Sequence, residues 1–251
     1  MHEAGYRALG LAFVYVPFEL GGSSDLPSAI AGMRGLGIRG FGVSHPFKRD
    51  VMPLLDALDP VAKRIGAVNT IVNDGGRLTG HNTDWVGATR ALEEVRPLEG
   101  ARVLLLGAGG AARAIAFGLR ERGAQATVAN RDPGKADGVA RDAGARSAPL
   151  DEAARAADYD VVINATTVGQ SDAQPGSPVE EGAMRRGQVV MDIVYKPVHT
   201  ELLRRAAARG ATTVHGGRML LHQAAAQFEL YTGRPAPLAD MDAALHAAMG
   251  A

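Results

Sequence analysis

The chain contains no cysteine. Disulfides, thiolate metal sites and thiol nucleophiles are therefore excluded, and such a chain fits a reducing compartment. An excess of one charge is also lacking. Lys+Arg is 27 and Asp+Glu is 27, so no basic footprint for nucleic acid is expected. No apolar run approaches the ~20 residues needed to span a bilayer. The opening Met1-His2-Glu3-Ala4-Gly5-Tyr6-Arg7 lacks the basic stretch and apolar core of a signal peptide. The expectation is a soluble, cytoplasmic protein with neither a nucleic-acid nor a membrane partner. Aromatic residues are few, at 5%, with a single Trp. Lysine is scarcer still: only positions 48, 63, 135 and 196 carry it, and Arg supplies the other basic side chains.

What is present is ordinary globular material. The 251 residues are 46% hydrophobic and 22% charged, enough for one large or two small domains. Glycine, at 32 residues, falls largely at apparent turns. In the first part, residues 12–18 read as a buried strand, 26–36 as a helix closed by Gly37, 38–44 as a second strand and 47–58 as helical. Residues 67–73 and 77–83 flank Asp74-Gly75-Gly76, a hairpin signal, and 84–95 read as a helix. Pro97 and Gly100 mark a boundary. Beyond it, apolar strands at 102–106, 125–129, 160–164, 188–192 and 211–214 alternate with Ala-rich helices, the pattern of βαβ units and a parallel sheet. Two amphipathic helices are expected at 219–231 and 239–248.

The strand at 102–106 runs straight into Gly107-Ala108-Gly109-Gly110-Ala111-Ala112. This fits the dinucleotide fingerprint G-x-G-x-x-G/A with Ala112 in third place. The first glycine permits the turn, the second lets the backbone approach a pyrophosphate, and the small third residue lets helix and strand pack closely. Pyrophosphate would sit on the helix N-terminus. The next strand ends at Asn130-Arg131, where a carboxylate would select NAD and an Arg selects the 2′-phosphate of NADP. NADP is the expected cofactor, with NAD a weaker alternative because Asp132 repels phosphate.

Four short motifs collect polar residues at the ends of elements: Val43-Ser44-His45-Pro46-Phe47-Lys48, Gly66-Ala67-Val68-Asn69-Thr70, Asn82-Thr83-Asp84, and Met219 with Gln223-Ala224. Lys48 stands out, because Lys can deprotonate when desolvated and Arg cannot.

With these motifs in place, the sequence resembles the shikimate/quinate dehydrogenase family over nearly its whole length. Ser44 to Lys48 is similar to the segment carrying the family's catalytic lysine. Asn69 and Asp84 fall in the motifs of its substrate-binding Asn and catalytic Asp. Gly107 to Ala112 with Asn130-Arg131 match its NADP site, and Asn164-Ala165-Thr166, Asp192 to Pro197, Met219 and Gln223-Ala224 match later signatures. The resemblance implies hydride transfer between NADP and a shikimate-like cyclic hydroxy acid. Lys48 and Asp84 would form the catalytic pair, and Ser44, Asn69, Tyr195 and Gln223 would bind substrate. Gly107, Gly109, Gly110, Ala111, Asn130, Arg131, Thr166 and Met219 would hold the cofactor, and no metal is implied.

Departures from the family pattern bear on this reading. Family members open with a strand and a Ser-x-Ser segment that holds the substrate carboxylate. Here Met1-His2-Glu3 lies inside the run that follows it, so a late-assigned start is expected over a truncated, poorer enzyme. Arg218 replaces a small residue and Trp85 a glycine. These leave quinate or an amino-substituted ring as alternative substrates, and a catalytically impaired nucleotide-binding homologue as the alternative of another class. The expected architecture is α/β. Residues 1–97 with 216–251 form an α/β substrate domain to which the C-terminal helices return, and 98–215 form a Rossmann-type NADP-binding domain. A site in the cleft between them is expected, in a monomer or homodimer.

Overall fold

The computed structural model describes residues 1–170 and 174–250. The chain divides into two compact units, Met1–Thr83 with Gln223–Ala251, and Asp84–His222.

The first unit opens with α1 (His2–Ala8) and α2 (Leu26–Gly35), then β1 (Gly40–Gly42), β2 (Ala57–Leu58), α3 (Pro60–Ile65), β3 (Thr70–Asp74) and β4 (Arg77–His81). The sheet order is β1-β3-β4-β2. β3 and β4 form the expected hairpin, with Asp74 opposite Arg77. Its two turn residues, Gly75 and Gly76, both have positive φ (61° and 93°), the conformation a two-residue hairpin turn demands. α3 starts where Asp59 caps the N–H groups of Val61 (2.8 Å) and Ala62 (3.3 Å) ahead of Pro60, and it stops at left-handed Gly66. Leu26, Ile30, Met33, Ile71 and Leu78 lie in this unit's core.

Two sequence expectations fail here. Residues 12–18 are neither a strand nor buried: Val14 is 78% exposed and Phe18 63%. A ladder needs a neighbouring backbone, but Pro17 has no N–H and the N–H of Tyr15 goes to the Glu3 carboxylate (2.6 Å). Residues 47–58 are not helical either, but form turns, a single 3₁₀ turn at Met52–Leu54 and the strand β2. Pro53 interrupts any helix there. Asp56, paired with Arg34 at 2.8 Å, accepts the N–H of Leu78 at 2.7 Å and draws the chain onto the sheet edge.

The second unit begins with α4 (Asp84–Glu93). It continues through β5 (Arg102–Leu106), α5 (Gly110–Glu121), β6 (Gln125–Asn130), α6 (Pro133–Ala143), β7 (Arg146–Pro149), β8 (Val161–Asn164), β9 (Val189–Asp192), α7 (Glu201–Ala208) and β10 (Thr212–Val214). The sheet is parallel in the order β10-β9-β8-β5-β6-β7. β7, short and polar, has no apolar run to announce it. Polarity reverses beside β5, whose neighbours are β6 on one side and β8 on the other. In open α/β sheets ligands bind at the carboxyl edge of such a switch point. α8 (Gly216–Thr232) starts in the second unit and ends in the first, where α9 (Leu238–Met249) follows.

Candidate active site

At the carboxyl end of β5 the chain turns on Gly107. Its φ is +115°, and a Cβ there would lie 2.7 Å from the Ala165 carbonyl oxygen and 3.3 Å from the Thr166 methyl. Only glycine fits. Gly109 is the N-cap of α5, with no side chain closing the helix end. A Cβ on Gly109 or Gly110 would meet nothing within 4 Å, so the first turn of α5 is bare backbone facing open space. That is the shape and polarity a pyrophosphate requires. Thr166 is fixed beside this turn: its Oγ1 donates to Asn164 Oδ1 at 2.7 Å and accepts from the N–H of Val168 at 3.2 Å.

One strand over, Leu106 pairs with Ala129, which brings Asn130 and Arg131 to the same edge. Arg131 is exposed, and among the described residues it makes no hydrogen bond or ion pair. Asp132 is engaged as the N-cap of α6. The sheet thus gathers Gly107, Gly109, Gly110, Ala111, Asn130, Arg131 and Thr166 along one margin.

β9 ends at Asp192, which is fully buried. It accepts from Asn164 Nδ2 (3.0 Å), Thr200 Oγ1 (2.7 Å) and the N–H of Val194 (3.1 Å). Burial pushes its carboxyl up and these three donors oppose that shift. The network fixes the loop that carries Tyr195, itself 47% exposed. Met219 is 7% exposed and belongs to this unit's core cluster. Trp85 fills space between α4 and α5: its ring meets Phe117 edge-on at 6.0 Å, and the Arg122 guanidinium lies 5.9 Å over it. Its bulk is therefore a packing feature of the second unit.

In the first unit the loop 43–48 is laced to the start of β3. Val43 N–H donates to the Asn69 carbonyl (2.7 Å) and Val68 N–H to the Lys48 carbonyl (2.8 Å). Ser44, exposed, and Lys48, half-buried, are thereby brought to Asn69. The Asn69 side chain is locked: Oδ1 accepts from Thr83 N–H (2.7 Å) and Thr70 Oγ1 (2.8 Å), and Nδ2 donates to Thr83 Oγ1 (3.0 Å). Asn82 donates to the Ala67 carbonyl (3.0 Å). Sequence reasoning missed Gln227. Buried one turn beyond half-buried Gln223, it donates from Nε2 to the Asn69 carbonyl (3.2 Å) and Thr70 Oγ1 (3.0 Å). Its i+4 spacing from Gln223 was the available signal. Asp84, 2% exposed, opens the second unit at the N-terminus of α4, where the helix dipole favours a carboxylate.

Among the described residues, no group of three or more His, Cys, Asp or Glu is placed to hold a metal ion, and no helix is long and apolar enough to cross a membrane. Fold and site residues together define an α/β dinucleotide-binding enzyme. The comparisons refine that class. Residues 1–71 match the shikimate dehydrogenase substrate binding domain, 89–198 the shikimate/quinate 5-dehydrogenase model and 216–246 the shikimate 5′-dehydrogenase C-terminal domain. A shikimate dehydrogenase (NADP(+)) of Moorella thermoacetica is 44% identical over 100% of this chain and 88% of its own. A shikimate dehydrogenase solved with NADP+ superposes with a TM-score of 0.93 at 35% identity, covering 99% of this chain and 89% of that one. A quinate dehydrogenase from Corynebacterium glutamicum solved with NAD gives a TM-score of 0.90 at 35% identity, over 98% and 92%. The chain belongs to the shikimate/quinate dehydrogenase family, a family of oxidoreductases.

Proposed function

We propose that the protein interconverts 3-dehydroshikimate and shikimate by NADP-dependent hydride transfer. The observation that carries this reading is the 44% identity, over the full chain, to a shikimate dehydrogenase (NADP(+)). Support from the site is the bare first turn of α5 beside an exposed Arg131. We assign the substrate domain to 1–97 with 216–251 and the dinucleotide domain to 98–215. The enzyme works in the cytoplasm as a monomer or homodimer on this small ring acid.

Bound NADP supplies or accepts the hydride. The α5 amides at Gly109, Gly110 and Ala111 take the pyrophosphate, and Arg131 with Asn130 takes the 2′-phosphate end. Thr166 and Met219 line the cofactor. Lys48 holds the substrate C3 oxygen, donating a proton as the carbonyl is reduced and taking one back in the reverse direction. As an ammonium it also stabilises the charge developing on that oxygen. Asp84 orients Lys48 and accepts from a ring hydroxyl. Asn69, held rigid by Thr70 and Thr83, reads the ring hydroxyls together with Ser44, Gln223 and Tyr195. Amides aimed at hydroxyls reject rings that lack them, because the site's polar groups are then left unpaired.

A second reading is quinate with NAD: Asp132 beside the cofactor margin favours NAD, and the Arg218 and Trp85 departures open the choice of ring. The test is NADPH formation by the purified chain with shikimate and NADP+, with quinate and NAD+ in parallel. Turnover on shikimate with NADP+ is expected. Turnover on quinate with NAD+ alone replaces this reading with the second.

A further inference from the structure

Two charged residues sit at the wrong ends of their helices. Glu94 follows the last residue of α4, where the helix dipole disfavours an anion, and Arg218 lies in the first turn of α8, where it disfavours a cation, with His222 one turn further on. Their positions make sense only together. Glu94 Oε1 accepts from Arg218 Nη2 (2.5 Å) and contacts His222 Nε2 (2.8 Å), and Oε2 accepts from Arg218 Nε (2.9 Å). The guanidinium grips the carboxylate with two nitrogens, a geometry that fixes direction as well as distance. His222 is buried and Glu94 is exposed, so the contact between them is part-buried. Burial disfavours the charged form of Glu94, but the hydrogen bonds from Arg218 and His222 outweigh it and hold the carboxyl below its ordinary range. The start of α8 has a second seat: a Cβ on Gly216 would lie 2.4 Å from the Ile193 carbonyl oxygen and 2.6 Å from that of Val194. Gly216 thus fixes where α8 begins, and Glu94 fixes how it is rotated. Met219 follows Arg218 directly, so the rotation set at Arg218 is the rotation of Met219.

We propose that Glu94, gripping Arg218 and His222, is a positioning residue that holds Met219 of α8 in register with Asp84 of α4. The proposal rests on the assignment of Met219 to the cofactor and Asp84 to the catalytic pair. It also gives the Arg218 departure a role: the side chain pairs with Glu94.

The test uses the full chain with Glu94→Ala and the milder Glu94→Gln, which keeps an acceptor for Arg218. Amide exchange of residues 216–222 is compared with that of β5. Glu94→Ala should speed exchange in 216–222 by about tenfold and leave β5 unchanged. Turnover of shikimate should fall about tenfold through misplacement of the reacting partners. The primary isotope effect with C3-deuterated shikimate should rise, while NADP+ affinity stays within about twofold. Glu94→Gln should fall between, and it carries the test if the alanine variant does not fold. Wild-type exchange over 216–222 overturns the clamp. Faster exchange with unchanged turnover and isotope effect overturns its positioning role and leaves a purely structural contact. If the native chain turns over no shikimate, the substrate assignment fails, and the exchange measurement still decides the clamp.

Discussion

Asp132 accepts the backbone N–H of Lys135 at 3.2 Å and faces that residue's ammonium at 3.6 Å. One carboxylate therefore caps α6 and offsets a lysine, next to the exposed Arg131. Replacing it with Asn keeps the cap, which Asn serves as well as Asp, and removes the charge. The pair is exposed, so the electrostatic gain is small, on the order of 1 kcal/mol. Asp132→Asn should tighten NADP+ about fivefold and leave NAD+ nearly unchanged, as read by titration of each cofactor. Equal tightening of both would dissociate Asp132 from the 2′-phosphate.

Lys48→Ala should lower turnover by about 10²–10⁴, the usual share of a general acid–base. NADP+ affinity should not change. Lys48→Arg should not restore activity, since a guanidinium does not release its proton. Steady-state kinetics with shikimate check both, and an active Arg variant would reduce the role of Lys48 to charge.

Gly107 and Gly109 should respond differently to the same added methyl. Gly107→Ala combines a φ of +115° with a clash against the Ala165 carbonyl. It should cost about 2 kcal/mol of stability or more. Gly109→Ala has open space in the free protein and should melt like the parent, yet bind NADP+ far less tightly because the methyl blocks the approach of pyrophosphate. Melting curves with and without NADP+ separate the two.

Gln227→Ala removes a buried donor from the Thr70 hydroxyl and one from the Asn69 carbonyl, which keeps the Val43 N–H. The expected loss is about 1–3 kcal/mol of stability. KM for shikimate should rise more than kcat falls, because the support for Asn69 is loosened while the proton-transfer residues are intact. An unaltered KM would show that Asn69 is held without it.

His2 is buried, stacked on Tyr15 at 4.2 Å, and desolvation drives its pKa from 6.5 down to about 4. The folded state therefore keeps it neutral, whereas the unfolded chain takes up a proton below about 6.5. Stability contributed by the neutral ring is full above that value and falls as pH drops from 6.5 to 4, by up to about 3 kcal/mol. His2→Phe should flatten this part of the curve in urea titrations at several pH values. An equal slope in the variant would assign the acid sensitivity to other groups.

The residues show what was readable in the sequence. β5, β8 and β9 are buried on both faces, so their apolar runs were unbroken, and Gly107 announced its turn by composition alone. Asp59-Pro60 and Gly66 around α3 are local chemistry, visible without partners. The run at 12–18 misled because Val14, Tyr15 and Val16 have strand composition, while a strand also needs a neighbour that composition does not supply. β7 was silent because an edge strand of Arg, Ser, Ala and Pro has no apolar signature. In the site, Asn69 and Asp84 stood in short motifs. Gln227 and Glu94 act through partners more than 120 residues away, 157 from Gln227 to Thr70 and 124 from Glu94 to Arg218, so only the fold joins them.

The division of the chain has a consequence for its synthesis. The first unit is interrupted: 84–222 lie within it in sequence, and Gln223–Ala251 complete it. All four strands of its sheet leave the ribosome early, but Gln227, which supports Asn69 and Thr70, and Tyr231, whose carbonyl accepts from Arg39, are translated only after the nested segment. The nested Asp84–His222 segment is whole first and can fold while its host waits. For that interval residues 1–83, with exposed Val14, Val16 and Phe18, are an unfinished nascent body open to chaperones, and synthesis of 223–251 completes it.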